Sequence, residues 1–315
     1  MNTTDKENIK KFLVSLIGKK EIKVCVHDGI FHADDVLCVA LLTYFYDKSE
    51  IVVIRTRNYN ISDFDFILDI GREERLVNNT TLILDHHQEG NRSYPNGVEM
   101  AACGKLAEYL LPLWENGDLI LIKLREKLLY SVEAQDNGQS IPGLGANKLA
   151  WVGDTNPTIE SDSNGNKEFD ICTSMATYIL SAIIEGISVD IKNREILHSI
   201  IRNNTQRFLV LNKFYHWQEE VIMYNNLYKN DPNKQIIFVI YPTKTGNWNC
   251  QVVPKELGNY EAIKNLPKSW GTKTGKDLEK VSGIPGAIFC HAGLFVSGWQ
   301  TKEAAIAAAN ISLIN

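Results

Sequence analysis

Short apolar runs, each closed by a polar turn, alternate with longer stretches of helical period through the first third of the chain. Ile22–Val26 is β-rich, and residues 35–46 place apolar side chains at helical spacing. Residues 51–54, 64–68 and 82–84 are further short apolar runs bounded by polar positions. This alternation predicts a parallel α/β sheet covered on both faces. Residues 101–114 and 119–133 read as helices, the first entered through the region of Gly97.

The pattern then changes. Residues 143–170 are rich in Gly, Asn, Asp and Ser, with Pro142 just before them and Pro157 within, which predicts a long surface excursion, a lid or a flexible insertion. Helical spacing resumes over 172–185. Residues 190–229 keep apolar side chains at helical intervals (Ile196, Ile200, Phe208, Leu211, Val221), so one broken helix or two consecutive helices are expected before the stop Asn230-Asp231-Pro232-Asn233. Strand-like runs follow at 235–241, 249–253, 287–290 and 294–296, and an alanine-rich helix closes the chain over 301–309. The expected division is therefore 1–229 and 230–315, the second a smaller α+β domain.

Composition narrows the class. The 315 residues are 44% hydrophobic and 23% charged, enough to build one large or two medium cores without extensive disorder. A net charge of -5 argues against a generally basic, nucleic-acid-coating protein, although metal ions can supply positive charge locally. The six cysteines are scattered singly with no CxxC pair, so neither a structural zinc site nor a disulfide framework is expected. The N-terminal residues resemble no secretory or mitochondrial signal, and no uninterrupted apolar run approaches the ~20 residues of a membrane span. A soluble, cytoplasmic protein with no membrane partner is the expectation.

The chemistry gathers where apolar runs end. His27-Asp28-Gly29-Ile30-Phe31-His32-Ala33-Asp34-Asp35 packs two histidines and three aspartates between a strand and a helix. Imidazole mixed with carboxylate suits Mn²⁺, Fe²⁺, Co²⁺ or Zn²⁺ better than Ca²⁺. Asp34 as a helix cap and Asp28 as a turn residue would explain two carboxylates but neither histidine. Asp69 ends the run 64–68 before Gly71; alone it would be an ordinary turn residue. Asp85-His86-His87 follows Leu82-Ile83-Leu84, and two adjacent histidines can serve a metal and a substrate at once. Asp136 alone reads as a helix-terminal residue. A parallel sheet gathers the carboxyl ends of its strands on one edge, so these clusters should meet there. Together they supply ligands for a pair of metals, as in metal-assisted phosphoryl transfer. There is no GxSxG elbow, Walker A loop or HExxH helix to compete.

In this order the clusters resemble the four motifs of the DHH phosphoesterase superfamily. His27 to Asp34 is similar to the first, Asp69 to the second, Asp85-His86-His87 to the third and Asp136-Asn137-Gly138 to the fourth. The wording is closest to the melanocyte proliferating gene 1 (UPF0160) exonuclease branch. Residues 153–157 and Gly283-Ile284-Pro285-Gly286-Ala287-Ile288-Phe289-Cys290-His291-Ala292 extend the resemblance over nearly the whole chain.

The resemblance implies a Rossmann-like parallel sheet followed by a smaller domain, with substrate in the cleft between them. It implies that His27, His32, Asp34, Asp69, His86 and Asp136 hold two ions, Mn²⁺ as the expected metal with Mg²⁺ or Co²⁺ as alternatives. Asp69 and Asp136 would be the bridging carboxylates. His87 would contact phosphate or move a proton, Asp85 would orient a histidine, and Asp35 would cap the helix. One departure stands out. The branch carries an Arg-rich Trp-x-Gly-Leu segment where this chain has Lys268-Ser269-Trp270-Gly271-Thr272-Lys273. Lys268, Lys273 and His291 remain as candidates for substrate phosphate. The implied activity is a metal-dependent 3′–5′ exonuclease on RNA or short oligonucleotides. A pyrophosphatase, polyphosphatase or cyclic-dinucleotide phosphodiesterase would use the same metal site on a small phosphate compound. A non-catalytic metal- or nucleotide-binding protein is the third possibility.

Overall fold

The computed structural model describes residues 3–158, 164–259 and 261–314. The chain divides into two compact units, Met1–Ser188 and Val189–Asn315. The first contains α1 (Thr3–Ser15), β1 (Ile22–Val26), α2 (Ala33–Phe45), β2 (Ile51–Arg55), β3 (Phe66–Leu68), β4 (Glu74–Val77) and β5 (Thr81–Leu84). There follow α3 (Ala102–Leu110), α4 (Gly117–Leu124), α5 (Tyr130–Asp136) and most of α6 (Asn166–Arg202).

The sheet of this unit has the order β2-β1-β3-β5-β4. β1 pairs in parallel with β2 and β3, and β3 with β5; β4 is antiparallel at the edge. Every residue of β3 and β5 is buried, which is why these strands read as unbroken apolar runs rather than alternating ones. From β1 the chain crosses to β2 on one side and then returns to β3 on the other. The strand order thus reverses at β1, and the carboxyl ends of β1 and β3 flank the reversal, the usual place for a ligand in an open α/β sheet. Those ends run directly into His27 and Asp69, and β5 runs into Asp85.

Several elements differ from the sequence expectation. β4 was not predicted, because Glu74-Arg75-Leu76-Val77 shows neither alternation nor an apolar run. The single helix expected over 119–133 is α4, a π-helical turn at Arg125–Leu129, and α5. The surface excursion expected over 143–170 is shorter. Leu149 and Val152 are buried, Ala150–Thr155 coils into a 3₁₀ turn, and α6 begins at Asn166. The apolar anchors Leu149 and Val152 tie the segment down; residues 159–163 lie outside the described residues.

α6 is also long and apolar enough, by length and composition alone, to cross a bilayer. The expectation of no such segment rested on uninterrupted runs, and Thr173, Ser174, Thr177, Ser181 and Glu185 break this one while leaving it apolar on average. Its buried positions Phe169, Cys172, Ala176, Leu180, Ile184 and Ile187 recur at helical spacing on one face.

The second unit contains the end of α6, β6 (Phe208–Val210), α7 (Gln218–Leu227), β7 (Phe238–Pro242), β8 (Trp248–Val252), α8 (Gly275–Ser282), β9 (Ala287–Cys290), β10 (Val296–Trp299) and α9 (Lys302–Ile314). Its mixed sheet runs β6-β7-β8-β10-β9, with β6 parallel to β7 and the other pairs antiparallel. Phe208 and Leu211, expected on a helix, flank or enter β6: a four-residue apolar run fits either period, and pairing with β7 decides it. β6 and α7 therefore belong with the C-terminal sheet, although the expected boundary followed residue 229. Trp270, Leu278, Trp299 and the α9 alanines Ala304, Ala305, Ala308 and Ala309 share one core. The alanine run thus allows α9 to lie close on its own sheet. All six cysteines are buried and unpaired.

Candidate metal centre

The turn from β1 into α2 is built to present side chains at the sheet edge. Gly29 supplies a left-handed bend at φ 83°, and Phe31 anchors the far side in the core. Asn156 grips the Phe31 backbone at both ends, accepting from its N–H at 2.9 Å and donating to its carbonyl at 2.8 Å. His32 is the exposed N-cap of α2, and Asp35 Oδ2 accepts its N–H at 3.0 Å, the helix-capping role expected of Asp35. Asp34 is fully buried in the same turn, where its oxygens accept the N–H groups of Ala102 and Cys103 at 3.0 and 2.8 Å. Asp34 therefore caps a helix, but α3 rather than its own. Each of its oxygens retains a second lone pair.

Asp69 leaves β3 in the left-handed region, φ 56°, a conformation costly for most residues and tolerated by aspartate. Asp85 organises the turn after β5. Its Oδ1 accepts from the N–H groups of His86 (2.6 Å) and His87 (3.2 Å) and from His87 Nδ1 (2.7 Å), and its Oδ2 from Arg72 N–H (2.5 Å). Asp136 closes α5.

These residues converge. His27 Nε2 lies 3.1 Å from Asp35 Oδ2 and 3.4 Å from Asp69 Oδ2; His86 Nε2 lies 3.1 Å from Asp69 Oδ1 and 3.0 Å from Asp136 Oδ2. Three ligand sets result, each with its donor atoms within 4.8 Å of one another: His27, His32, Asp35 and Asp69; Asp34, Asp69, His86 and Asp136; Asp69, Asp85, His86 and His87. Asp69 belongs to all three. Asp136 belongs to one.

The protonation pattern suits cations. His27 Nδ1 faces the carbonyl of Asp28 at 3.1 Å, which only accepts, so that nitrogen carries the hydrogen. His86 Nδ1 faces Asn137 Oδ1 at 3.0 Å, and the Asn137 amide is fixed in that sense because its Nδ2 donates to the carbonyls of Glu99 and Glu133. With Nδ1 engaged in this way, Nε2 is the atom each ring turns toward the carboxylates, and in the neutral form it carries the lone pair a metal ligand requires. His86 Nε2, Asp69 Oδ1 and Asp35 Oδ1 are buried yet make no hydrogen bond of proper geometry. Such orphaned atoms, grouped at ligand distance, fit divalent ions.

Without a metal, the crowded carboxylates hold protons on both rings. Burial works against a charged imidazole, but the Asp35 and Asp69 carboxylates outweigh it and push His27 up to about 10. Asp136 and Asp69 likewise push His86 up to about 11 against the effect of burial. Burial, then repulsion from Asp69 and Asp136, lifts Asp34 well above the carboxylate range. Burial also raises Asp35. Asp69 moves the other way: burial is overcome by His27 and His86, which hold it well below its usual range. Crowded carboxylates that retain protons are those a metal would relieve.

His27, His32, Asp34, Asp69, His86 and Asp136 are thus in one place, with Asp85 and half-exposed His87 beside them. Lys268, Lys273 and His291 belong to the second unit. There, Cys290 N–H donates to the Lys273 carbonyl at 2.9 Å, which sets Lys273 beside the strand that leads to His291. His291 Nδ1 accepts from Gly293 N–H at 3.0 Å, so its Nε2 is the donor when the ring is neutral. Asn137, which fixes the His86 ring, escaped the sequence reading; its position next to Asp136 was the available signal. Asp35 was read as a cap only, and its second contact, with His27, was not legible.

The chain is similar along most of its length to curated proteins from distant organisms. It is 28% identical over 292 residues to a MYG1 protein of Chlamydia muridarum, covering 92% of this chain and 96% of that one. It is 24% identical over 340 residues to a MYG1 protein of Saccharomyces cerevisiae, covering 95% and 98%. To the protein named MYG1 exonuclease in Mus musculus it is 27% identical over 336 residues, covering 92% and 84%. Residues 23–313 match the family described as "Uncharacterised protein family (UPF0160)", and with a match that spans both units the chain belongs to that family.

Proposed function

We propose that this protein is a manganese-dependent phosphodiesterase of DHH type, a 3′–5′ exonuclease that acts on RNA or short oligonucleotides. The observation that carries the reading is the placement of Asp69 between His27 and His86, at the carboxyl ends of three adjacent parallel strands. The name carried by the mammalian relatives supports exonuclease chemistry in particular.

In this reading His27, His32 and Asp69 hold one Mn²⁺, with Asp35 beside them, and Asp34, Asp69, His86 and Asp136 hold the other. Two such ions activate water and neutralise charge on a phosphoryl group in an in-line displacement. The protein's own side chains do the rest. Asp28 and Asn137 keep the His27 and His86 rings in the ligating tautomer. His87 is more than half exposed, and its Nδ1 is engaged by Asp85, so its Nε2 is directed to donate to a phosphate oxygen or to pass a proton to the leaving group. Lys268, Lys273 and the Nε2 of His291, in the second unit, are the groups this reading assigns to substrate phosphate.

The test is hydrolysis of single-stranded RNA and of pyrophosphate with Mn²⁺, comparing wild type with Asp69→Asn and His86→Ala. Mononucleotide release by wild type, lost in both variants, supports the reading. Phosphate release from pyrophosphate alone assigns the site to a small substrate, and undiminished activity in the variants refutes the site.

A further inference from the structure

Among the described residues, Lys105 is the one lysine among the large side chains that are completely buried, and it lies in α3 with no part in the ligand sets. Its neighbours Ala102, Cys103, Leu106 and Ala107 are buried apolar residues. Its Nζ donates to the main-chain carbonyl of Asp85 at 2.6 Å and lies 3.3 Å from Glu74 Oε2. Glu74 has other partners as well: Arg92 donates to Glu74 Oε1 at 2.6 Å and the Tyr109 hydroxyl at 2.9 Å. A buried ammonium contributes little net stability compared with an apolar side chain of similar size. The charge therefore calls for another explanation, and the peptide between Asp85 and His86 supplies one. Its carbonyl oxygen is held by Lys105, and its N–H is held by Asp85 Oδ1 at 2.6 Å.

We infer that Lys105 is a positioning residue for the Asp85-His86-His87 turn. Pinned at both ends, the Asp85–His86 peptide cannot rotate. Its plane sets where the His86 ring starts and hence how Nε2 meets Asp69 and Asp136. It also sets the direction of His87, whose backbone and ring both bond to Asp85 Oδ1. Lys105 acts on the reaction through the backbone, without touching metal or substrate, and its catalytic consequence rests on the phosphodiesterase reading given above.

Lys105→Met removes the charge and keeps length and apolar bulk; Leu106→Ala, at the next buried position of the same helix, is the structural control. The full chain, labelled with ¹⁵N at histidine and stripped of metal, is compared by NMR, and Mn²⁺ affinity is then measured by calorimetry. Lys105→Met shifts the imidazole signals of His86 and His87, leaves those of His198 and His216 in place, and weakens Mn²⁺ binding about 10- to 100-fold, the range for lost support of a metal ligand. Leu106→Ala leaves the histidine signals and affinity within twofold of wild type. Folded Lys105→Met protein with wild-type signals and affinity overturns the inference, as does an equal change in Leu106→Ala. Wild type that binds no Mn²⁺ removes the functional reading alone, because the imidazole signals still decide what Lys105 does.

Discussion

Cys103 N–H donates to Asp34 Oδ1 across 2.8 Å, joining the start of α3 to a carboxylate in the first turn of α2. The neighbouring N–H of Ala102 donates to the other oxygen, so Asp34 is held rigidly by the positive end of one helix while it faces Asp69, His86 and Asp136. An asparagine in its place must turn an amide N–H₂ toward one of those backbone donors. Asp34→Asn should therefore misplace the remaining oxygen and lose the metal. In thermal unfolding, Mn²⁺ at 100 times its Kd stabilises wild type by about 2.7 kcal/mol per ion. The variant should gain much less, and an equal gain would remove Asp34 from the ligand set.

Asn137 offers a milder test of the same centre. Its Oδ1 holds His86 Nδ1 at 3.0 Å, and Asn137 itself is in none of the ligand sets. Asn137→Ala frees the ring to flip or change tautomer, and Mn²⁺ affinity by calorimetry should fall about 10- to 100-fold with the fold intact by circular dichroism.

Gly104 is required by space rather than by backbone conformation. A Cβ there would sit 1.7 Å from Glu133 Oε1 and 2.7 Å from the Tyr94 hydroxyl oxygen. Glu133 Oε1 accepts from Ala101 N–H and from that hydroxyl, both at 3.1 Å, so any shift breaks the cap of α3. Gly104→Ala should cost about 1–3 kcal/mol in urea unfolding.

Glu133 also gives stability a pH dependence. Burial raises it from 4.5 to about 8, a rise that its bonds to Ala101 and Tyr94 only partly offset. The folded state then keeps a proton that the unfolded chain releases near pH 4.5, so this contribution is complete below that pH and is lost as pH rises through about 8. Glu133→Gln has no proton to lose and keeps an acceptor for both donors. Between pH 5 and 9 its urea midpoint should rise relative to wild type, by at least about 1 kcal/mol in stability. A constant difference would contradict the assignment.

How much of this was legible in the sequence depended on range. β1, β3 and β5 announced themselves as apolar runs ending in His27, Asp69 and Asp85, because a parallel strand buried on both faces has no polar alternation to hide it. β6 and the start of α6 did not. Phe208 to Leu211 suits helix and strand alike, and Asn166 to Asp170 looks like loop until Phe169 is seen to be buried. Within the centre, the ligand types followed from local clusters. The parts that fix them did not, since His86 and Asn137 are 51 residues apart and Lys105 and Asp85 20 apart. The double use of Asp35, as cap and as neighbour of His27, likewise needs the fold.

The central claim is that Asp69 joins two metal positions, and a calorimetric Mn²⁺ titration tests it most directly. Wild type should bind two ions per chain. Asp69→Asn preserves size and tolerance of the left-handed backbone but removes the shared charge, and should lose tight binding of both. Wild type that binds no Mn²⁺, or an Asp69→Asn variant that still binds two ions with unchanged affinity, would contradict the account.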